Sequence, residues 1–339
     1  MSGGHPIARA TIKDVAAAAG VSRSTASRAL SGNGYAAPEV REKVRAVARE
    51  LGYVVDVTAR SLKQRTSRSI GVLVSDLRNT FYAELASGIG AETRHTGRSL
   101  VLVDLHGVAD DELEAAETLV ASRVSGVIAT PVSAALAPFL ARLGVPLVEV
   151  DRRFDPSGTD AVVVDNRAAA RETTSRLLSL GHTRIALLID ETEWTTGAER
   201  QQGYLDAFAA RKLRVDESLI VRAGWDAAAA TDTAVELLSR PQPPTAVFTA
   251  NNVLAEGVWR ATQRLGLSVP RDLSIVAFDD APWMSMVEPG ISVRRQDTLG
   301  LGAAAVRTLI GRVESPDSPV QTIVLPTSFV DRGSIAAPR

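Results

Sequence analysis

From Ser69 onward, short apolar runs alternate with longer segments in which apolar positions recur every three or four residues. The runs read SIGVLVSDL, SLVLVDL, VSGVIAT, VPLVEVD, AVVVDN, RIALLID, SLIVRAG, TAVFTAN and LSIVAFDD. Between them the spacing predicts helices over 84–96, 112–122, 136–143, 167–180, 199–211, 228–238 and 254–265. Strands with few polar positions are buried on both faces, as in a parallel sheet covered by helices on either side. So many units exceed one compact sheet, and the body is expected to divide into two α/β subdomains. The order of elements alone does not show where the chain crosses between them.

The pattern ahead of Ser69 is different. Residues 11–31 read TIKDVAAAAGVSRSTASRALS, with Val15, Ala16, Val21, Ala26, Ala29 and Leu30 spaced as two short helices that bend at Gly20. Glycine can take the left-handed conformation that ends the first helix, and Ser22 can cap the second. In the second helix Ala26, Ala29 and Leu30 fall on one face, which turns Arg23, Ser24, Ser27 and Arg28 outward. A helix presenting Arg and small hydroxyls can enter the major groove, Arg as a fork to guanine and Ser or Thr to phosphates or base edges. An alanine-rich helical hairpin with a glycine turn is the alternative, and this pattern alone leaves both open. A third helix is expected from Pro38, with Val40, Val44, Val47 and Leu51 as its apolar stripe. Residues 53–68 are polar and basic and form a linker, in which Leu62 is an isolated apolar residue suited to docking on the body.

Charge sharpens the division. The chain of 339 residues has a net charge of −1, yet residues 1–69 hold 12 Lys/Arg against 5 Asp/Glu, leaving 26 against 34 for the rest. A basic head favours phosphate contacts and an acidic body stays off DNA. There are no cysteines and only four histidines, so no disulfide scaffold, metal site or cofactor is expected. No apolar run approaches a membrane span and the first residues lack the core of a signal peptide, so the expected location is the cytoplasm.

Polar residues gather at strand ends: Ser75-Asp76, Asp151-Arg152, Asp165-Asn166, Asn251-Asn252 and Asp279-Asp280. Ligands of open α/β sheets bind beyond the carboxyl ends of the strands. Phe81, Trp194, Trp225 and Trp283 fall in or near the same loops. Carboxylates, amides, Arg and a flat apolar ring suit a small polyhydroxylated molecule, whose hydroxyls pair with the polar groups while its apolar face lies on the ring. A helix cap is the competing role for each Asp taken singly; their repetition favours a site.

Longer motifs carry a resemblance. TIKDVAAAAGVSRSTASRALSG, TARSL at 58–62, SIGVLV, GVPLVEVDR, LGHTRIALL, ERQQGY, PTAVFTANN, GLSVPRDLSIVAFDD and RRQD at 294–297 are together similar to the LacI/GalR family of bacterial transcription regulators, over essentially the whole chain. The resemblance implies a dimeric repressor that reads a pseudo-palindromic operator, with a body like type I periplasmic sugar-binding proteins. It implies a DNA-binding head over 1–54, a hinge over 55–69, one subdomain from 70–164 plus 296–325, and the other from 165–295 plus 326–339. By position Arg23, Ser24 and Arg28 match the family's groove readers and Ser22, Thr25, Ser27 and Ser31 its phosphate and capping contacts. Ala59 and Leu62 match the hinge helix, with Leu62 as the minor-groove wedge, which replaces the docking role given above. Asn79, Phe81, Asp151, Arg152, Arg200, Trp225, Asn251, Asp279 and Gln296 match effector-cleft positions. Arg200 and Asp279 would recognise hydroxyls and Phe81 or Trp225 would stack; His182 would be structural.

The sequence departs from the family pattern at Val55-Asp56, where a Pro-Asn pair is usual, at Ala37, where a capping hydroxyl is expected, at Asn252, and at Asp190-Glu191. The cleft departures bear on the effector's identity rather than the fold. A transport protein fits the body but not the basic head. An enzyme is not expected: Gly88-Ile89-Gly90 lies within a helix pattern and lacks the third glycine of a dinucleotide loop. A purine or nucleobase corepressor is the alternative to a sugar. The chain ends without a heptad repeat, so a dimer is the expected state.

Overall fold

The computed structural model describes residues 10–31, 35–53, 68–106, 108–154, 158–190, 194–224 and 226–339, in two compact units, 1–67 and 68–339. Among its described residues the first holds three helices, α1 (Ile12–Ala19), α2 (Arg23–Ser31) and α3 (Pro38–Glu50). Gly20 takes φ 66°, ψ 34° and ends α1 as expected. The Thr25 amide donates to Ser22 Oγ at 3.1 Å, which caps α2. Val15, Ala16, Ala19, Ala26, Ala29, Val44 and Ala48 form the core. The α3 stripe differs from expectation in its last member, since Ala48 closes the core while Leu51, beyond the helix end, is 40% exposed. Ala37 makes no side-chain cap.

The second unit alternates strand and helix. Its first half runs β1 (Ser69–Val74), α4 (Thr80–His95), β2 (Ser99–Asp104), α5 (Glu112–Ala121), β3 (Val127–Ala129), α6 (Leu136–Arg142), β4 (Leu147–Val150) and β5 (Asp160–Val164). The second half runs α7 (Asn166–Ser179), β6 (Ile185–Ile189), α8 (Thr195–Ala210), β7 (Ile220–Arg222), α9 (Ala227–Leu238), β8 (Ala246–Thr249), α10 (Asn252–Leu265), β9 (Ser274–Phe278) and β10 (Ser292–Gln296). Then come α11 (Thr298–Glu314), β11 (Thr322–Leu325) and β12 (Thr327–Val330).

Two six-stranded sheets result, ordered β11-β5-β4-β3-β1-β2 and β12-β10-β9-β8-β6-β7. Leaving the edge strand aside, each has the doubly wound order 2-1-3-4-5, so each has its own switch point between its first and third strands. All neighbours are parallel except β12, which runs antiparallel to β10. The central strands β3, β4, β6, β8 and β9 are buried at every position, which explains their predominantly apolar sequences; Glu149, Thr249 and Ser274 are the polar residues buried in them. The chain passes between the sheets after β5, after β10 and through Pro326.

Helix α11 packs along α4 at a distance only glycine permits. A Cβ on Gly88 would lie 2.5 Å from the Leu299 carbonyl oxygen, and one on Gly302 2.6 Å from that of Leu85. The Gly88-Ile89-Gly90 run is thus part of a helix seam. The segment SLIVRAG forms a strand only over Ile220–Arg222, after a 3₁₀ turn at Glu217–Leu219.

Candidate functional site

In the head, the side chains of Arg23, Ser24, Ser27 and Arg28 are exposed on α2, opposite the buried Ala26 and Ala29. Ser22 Oγ is engaged by the Thr25 amide and lies 2.8 Å from both Ser24 Oγ and Thr25 Oγ1. Arg28 reaches Thr25 Oγ1 only at 3.5 Å, the limit of a hydrogen bond, so its guanidinium is available to a partner. Ser31 is the last residue of α2. Ala59 and Leu62 lie outside the described residues, as does Trp225.

In the body, the carboxyl ends of β1, β4, β6, β8 and β9 open on one cavity of about 660 Å³ between the two subdomains. Asn79, Phe81, Asp151, Arg152, Arg200, Asn251 and Asp279 all line it. Gln296 stands behind this wall: its amide donates to Asp279 Oδ1 at 2.7 Å, and its own side chain borders a neighbouring cavity of about 260 Å³ that shares Phe81 and Asp279.

Asp151 and Asp279 hold equivalent positions, each the first residue past the fourth strand of its sheet order. Both have left-handed backbone, φ 71° and 67°, which is uncommon for a residue with a side chain although aspartate adopts it more readily than most. Such strain persists where the surroundings fix it, and it concentrates at functional sites. Burial pushes the Asp279 carboxyl up to about 6, against the pull of Arg200 and Gln296 and with a further push from Asp151 and Asp190. Burial likewise raises Asp151, opposed by Arg152 and Arg200.

The two arginines differ in how far they are satisfied. Arg200 donates from Nε to Asn166 Oδ1 at 2.8 Å and from Nη1 to the Ala250 carbonyl, lies 3.8 Å from Asp279 Oδ2, and stacks 3.7 Å over the Phe278 ring. Arg152 donates from Nη2 to Ser75 Oγ at 2.6 Å and to the Tyr82 hydroxyl, while Nε and Nη1 have no hydrogen-bond partner. Its Nε is 3.7 Å from Asp151 Oδ2, an ion-pair distance too long for a good hydrogen bond. Unmet donors on a guanidinium only 1% exposed are costly, and they suit a ligand that brings acceptors.

The remaining polar groups hold the frame. Asn79 Oδ1 caps α4 through the Phe81 amide at 3.0 Å and accepts from Asn252 Nδ2 at 2.9 Å, so the two subdomains touch there. Asn251 caps α10 through the Leu254 amide and donates to Asp190 Oδ2, both at 2.8 Å. Its side chain is therefore already committed at both ends. His182 lies away from the cleft, bonded to Thr245 and to the Ala336 carbonyl, a structural position.

The sequence does not single out Tyr82 or Thr196, it places Asn252 and Trp194 near the cleft without a role, and it does not give Ser75 its part in holding Arg152. Tyr82 and Asn252 each follow a residue that was picked. Trp194 was visible as a loop aromatic, with no sign of where its ring goes.

Similarity to known proteins agrees with this geometry. The profile described as bacterial regulatory proteins, lacI family, matches residues 11–56, and that of a periplasmic binding protein-like domain matches 174–335. The ribose operon repressor of Haemophilus influenzae is 31% identical over 327 residues, 96% of this chain and 98% of that protein. The HTH-type transcriptional repressor PurR of Vibrio atlanticus is 28% identical over 329 residues, 96% of this chain and 98% of that protein. The lac repressor dimer bound to operator and the anti-inducer ONPF superposes with a TM-score of 0.86 at 27% identity, covering 97% of this chain and 99% of that one.

Proposed function

The chain belongs to the LacI family of bacterial regulatory proteins, a sequence-specific DNA-binding transcription regulator, and from that premise we propose that it is a dimeric repressor released from its operator by a small neutral sugar. The observation that carries the effector reading is the pair of strained aspartates, Asp151 and Asp279, facing one cavity from the two subdomains. Each carboxylate accepts hydrogen bonds from adjacent hydroxyls, and Arg152 Nε and Nη1 donate to hydroxyl or ring oxygens. Phe81 supplies an apolar face for the ring. A sugar hydroxyl donates and accepts at once, so one ring answers both groups. A purine offers fewer donors to two carboxylates. The lining also holds more carboxylates than guanidinium groups, which disfavours a phosphate ester. The cleft is read as a binding site without catalysis, in a protein acting in the cytoplasm where its operator lies.

In the head, we assign base reading to Arg23, Ser24 and Arg28 and phosphate contacts to Thr25, Ser27 and Ser31, with Ser22 as the cap. The hinge residues Ala59 and Leu62 are assigned to the operator centre. The domain limits 1–54, 55–69, 70–164 plus 296–325, and 165–295 plus 326–339 belong to the same proposal. Effector binding changes the angle between subdomains and thereby the operator affinity of the paired heads. Only a differential affinity for the two arrangements can do this.

Titration of D-ribose into the protein by calorimetry tests the effector. Hydroxyls donate to ionised Asp279, whose free-protein pKa is about 6. Affinity is therefore expected to be full at pH 7 and to fall about tenfold by pH 5, as one proton must be displaced. Affinity that does not change with pH would remove Asp279 from the contact. Binding of hypoxanthine in place of D-ribose would make a purine the effector.

A further inference from the structure

Trp194 belongs by chain to the second subdomain, where it is the capping residue at the start of α8 and its carbonyl accepts from the Ala198 amide at 3.0 Å. Its side chain lies elsewhere. The residue is 7% exposed and packs in the apolar cluster of the first subdomain, with Leu73, Ala129, Val132, Leu136 and Leu140. One face of the indole covers Arg152, whose guanidinium carbon is 3.9 Å from the ring centroid. Both side chains border the effector cavity.

This arrangement gives Arg152 its orientation. Ser75 and Tyr82 accept hydrogen bonds from Nη2, and the Tyr82 ring lies 5.5 Å from the guanidinium carbon. These contacts engage one side of the planar group and leave the Nη1 side without support. The indole is the nearer ring, at 3.9 Å, and braces the face of the group, because a guanidinium lies flat on an aromatic ring when attracted by its electron-rich face. With the group held in this way, Nη1 and Nε are the donors left without a hydrogen bond, Nε having only the Asp151 carboxylate at 3.7 Å.

We propose that Trp194 is a positioning residue for effector recognition: carried by one subdomain and seated in the other, it holds Arg152 flat so that Nε and Nη1 are presented to an oxygen acceptor of the effector. The proposal rests on the sugar reading of the cleft. It assigns the aromatic ring that matters here to the arginine rather than to stacking on the ligand. It also makes the arginine's aim depend on the contact between the subdomains, so an effector that uses Arg152 favours the arrangement in which Trp194 is seated.

Four variants test it: Trp194→Phe, Trp194→Leu, Arg152→Met, and Trp194→Leu combined with Arg152→Met. Phenylalanine keeps an aromatic face, and Trp194→Phe is expected to bind D-ribose within about threefold of the parent. Leucine fills the apolar seat without that face, and Trp194→Leu is expected to lose about tenfold or more. In the Arg152→Met background the same leucine change is expected to cost under about twofold, since nothing remains to be held. A ligand-free readout accompanies this. The Nε–H proton of Arg152, assigned by its loss in Arg152→Met, is expected upfield of other arginines in the parent and in Trp194→Phe, and to return downfield in Trp194→Leu. Equal losses for phenylalanine and leucine, or an undiminished leucine effect without Arg152, would reduce Trp194 to packing and overturn the proposal. So would an Arg152 resonance indifferent to the leucine change. A parent that binds no D-ribose would overturn the sugar reading, while the arginine resonance would still decide the role of Trp194.

Discussion

Replacing Asp279 by Asn is expected to abolish the response to effector while making the protein more stable at neutral pH. Asparagine keeps the shape of the side chain and an oxygen for the Gln296 amide, which donates at 2.7 Å. What it loses is the charge and the second acceptor oxygen, which lies 3.8 Å from Arg200 Nη1 and borders the cavity. Hydrogen bonds to a charged group contribute about 1.5–3 kcal/mol each, so losing two lowers affinity a hundredfold or more. The stability change has the opposite sign. Asp279 titrates at about 6 in the folded protein against 3.8 as a free side chain, because burial penalises the charged form. A carboxyl raised in this way favours the folded state below its unfolded pKa, and that contribution is lost as pH rises through about 6. At pH 7 the ionised group is a burden, which the amide removes. Arg200 keeps the Asn166 and Ala250 acceptors and so is not left without partners. The melting temperature of Asp279→Asn should therefore exceed the parent's at pH 7.5 and approach it near pH 4. Calorimetry with D-ribose and melts at the two pH values check both halves. A less stable variant at pH 7.5 would mean that the pairing with Arg200 outweighs desolvation.

The second large effect is expected at the operator. Arg28 is exposed on α2 and only loosely engaged by Thr25, so truncating it leaves the head's core of Ala26, Ala29 and Val44 intact. A bidentate arginine–guanine contact is worth about 1–3 kcal/mol of discrimination, and a two-fold dimer makes it at both half-sites. Arg28→Ala is thus expected to weaken specific binding by about 2–6 kcal/mol in total, with little loss on non-specific DNA, because phosphate contacts do not read sequence. Selection from a randomised operator pool measures this. The variant should lose preference at one symmetric pair of base positions, and an unchanged preference would move base reading to other side chains of α2.

Much of this protein could be read from particular residues. Gly20 and Ser22 mark the bend and the cap of the head, and the apolar runs alternating with helical segments announce parallel strands buried on both faces. The strand-end polar pairs pointed to a cleft, and seven of the nine cleft residues expected from the sequence border one cavity. Helix α11 was not legible. Its LGLGAAAV segment lacks an amphipathic stripe and its glycines disfavour a helix; it forms because Gly302 and Gly88 let two helices approach closely, a tertiary cause. Leu51 was misplaced because periodicity says which face a residue lies on and not where the partner surface ends. Trp194 was noticed as an aromatic near the site, yet its seat in the other subdomain's core depends on how the two halves meet. Gln296 was matched by position, and it acts on the cleft through Asp279 rather than by lining the cavity.

In the proposed function, a ligand in the cleft and DNA on the head share one equilibrium. The direct measurement is operator affinity of the unmodified protein across a D-ribose titration at fixed salt, by fluorescence anisotropy of labelled DNA. Operator affinity is predicted to fall at least about tenfold as the cleft fills, and operator should lower D-ribose affinity by the same factor, as linkage requires. D-ribose bound in the cleft with operator affinity unchanged at every concentration would overturn the proposed coupling of the two sites.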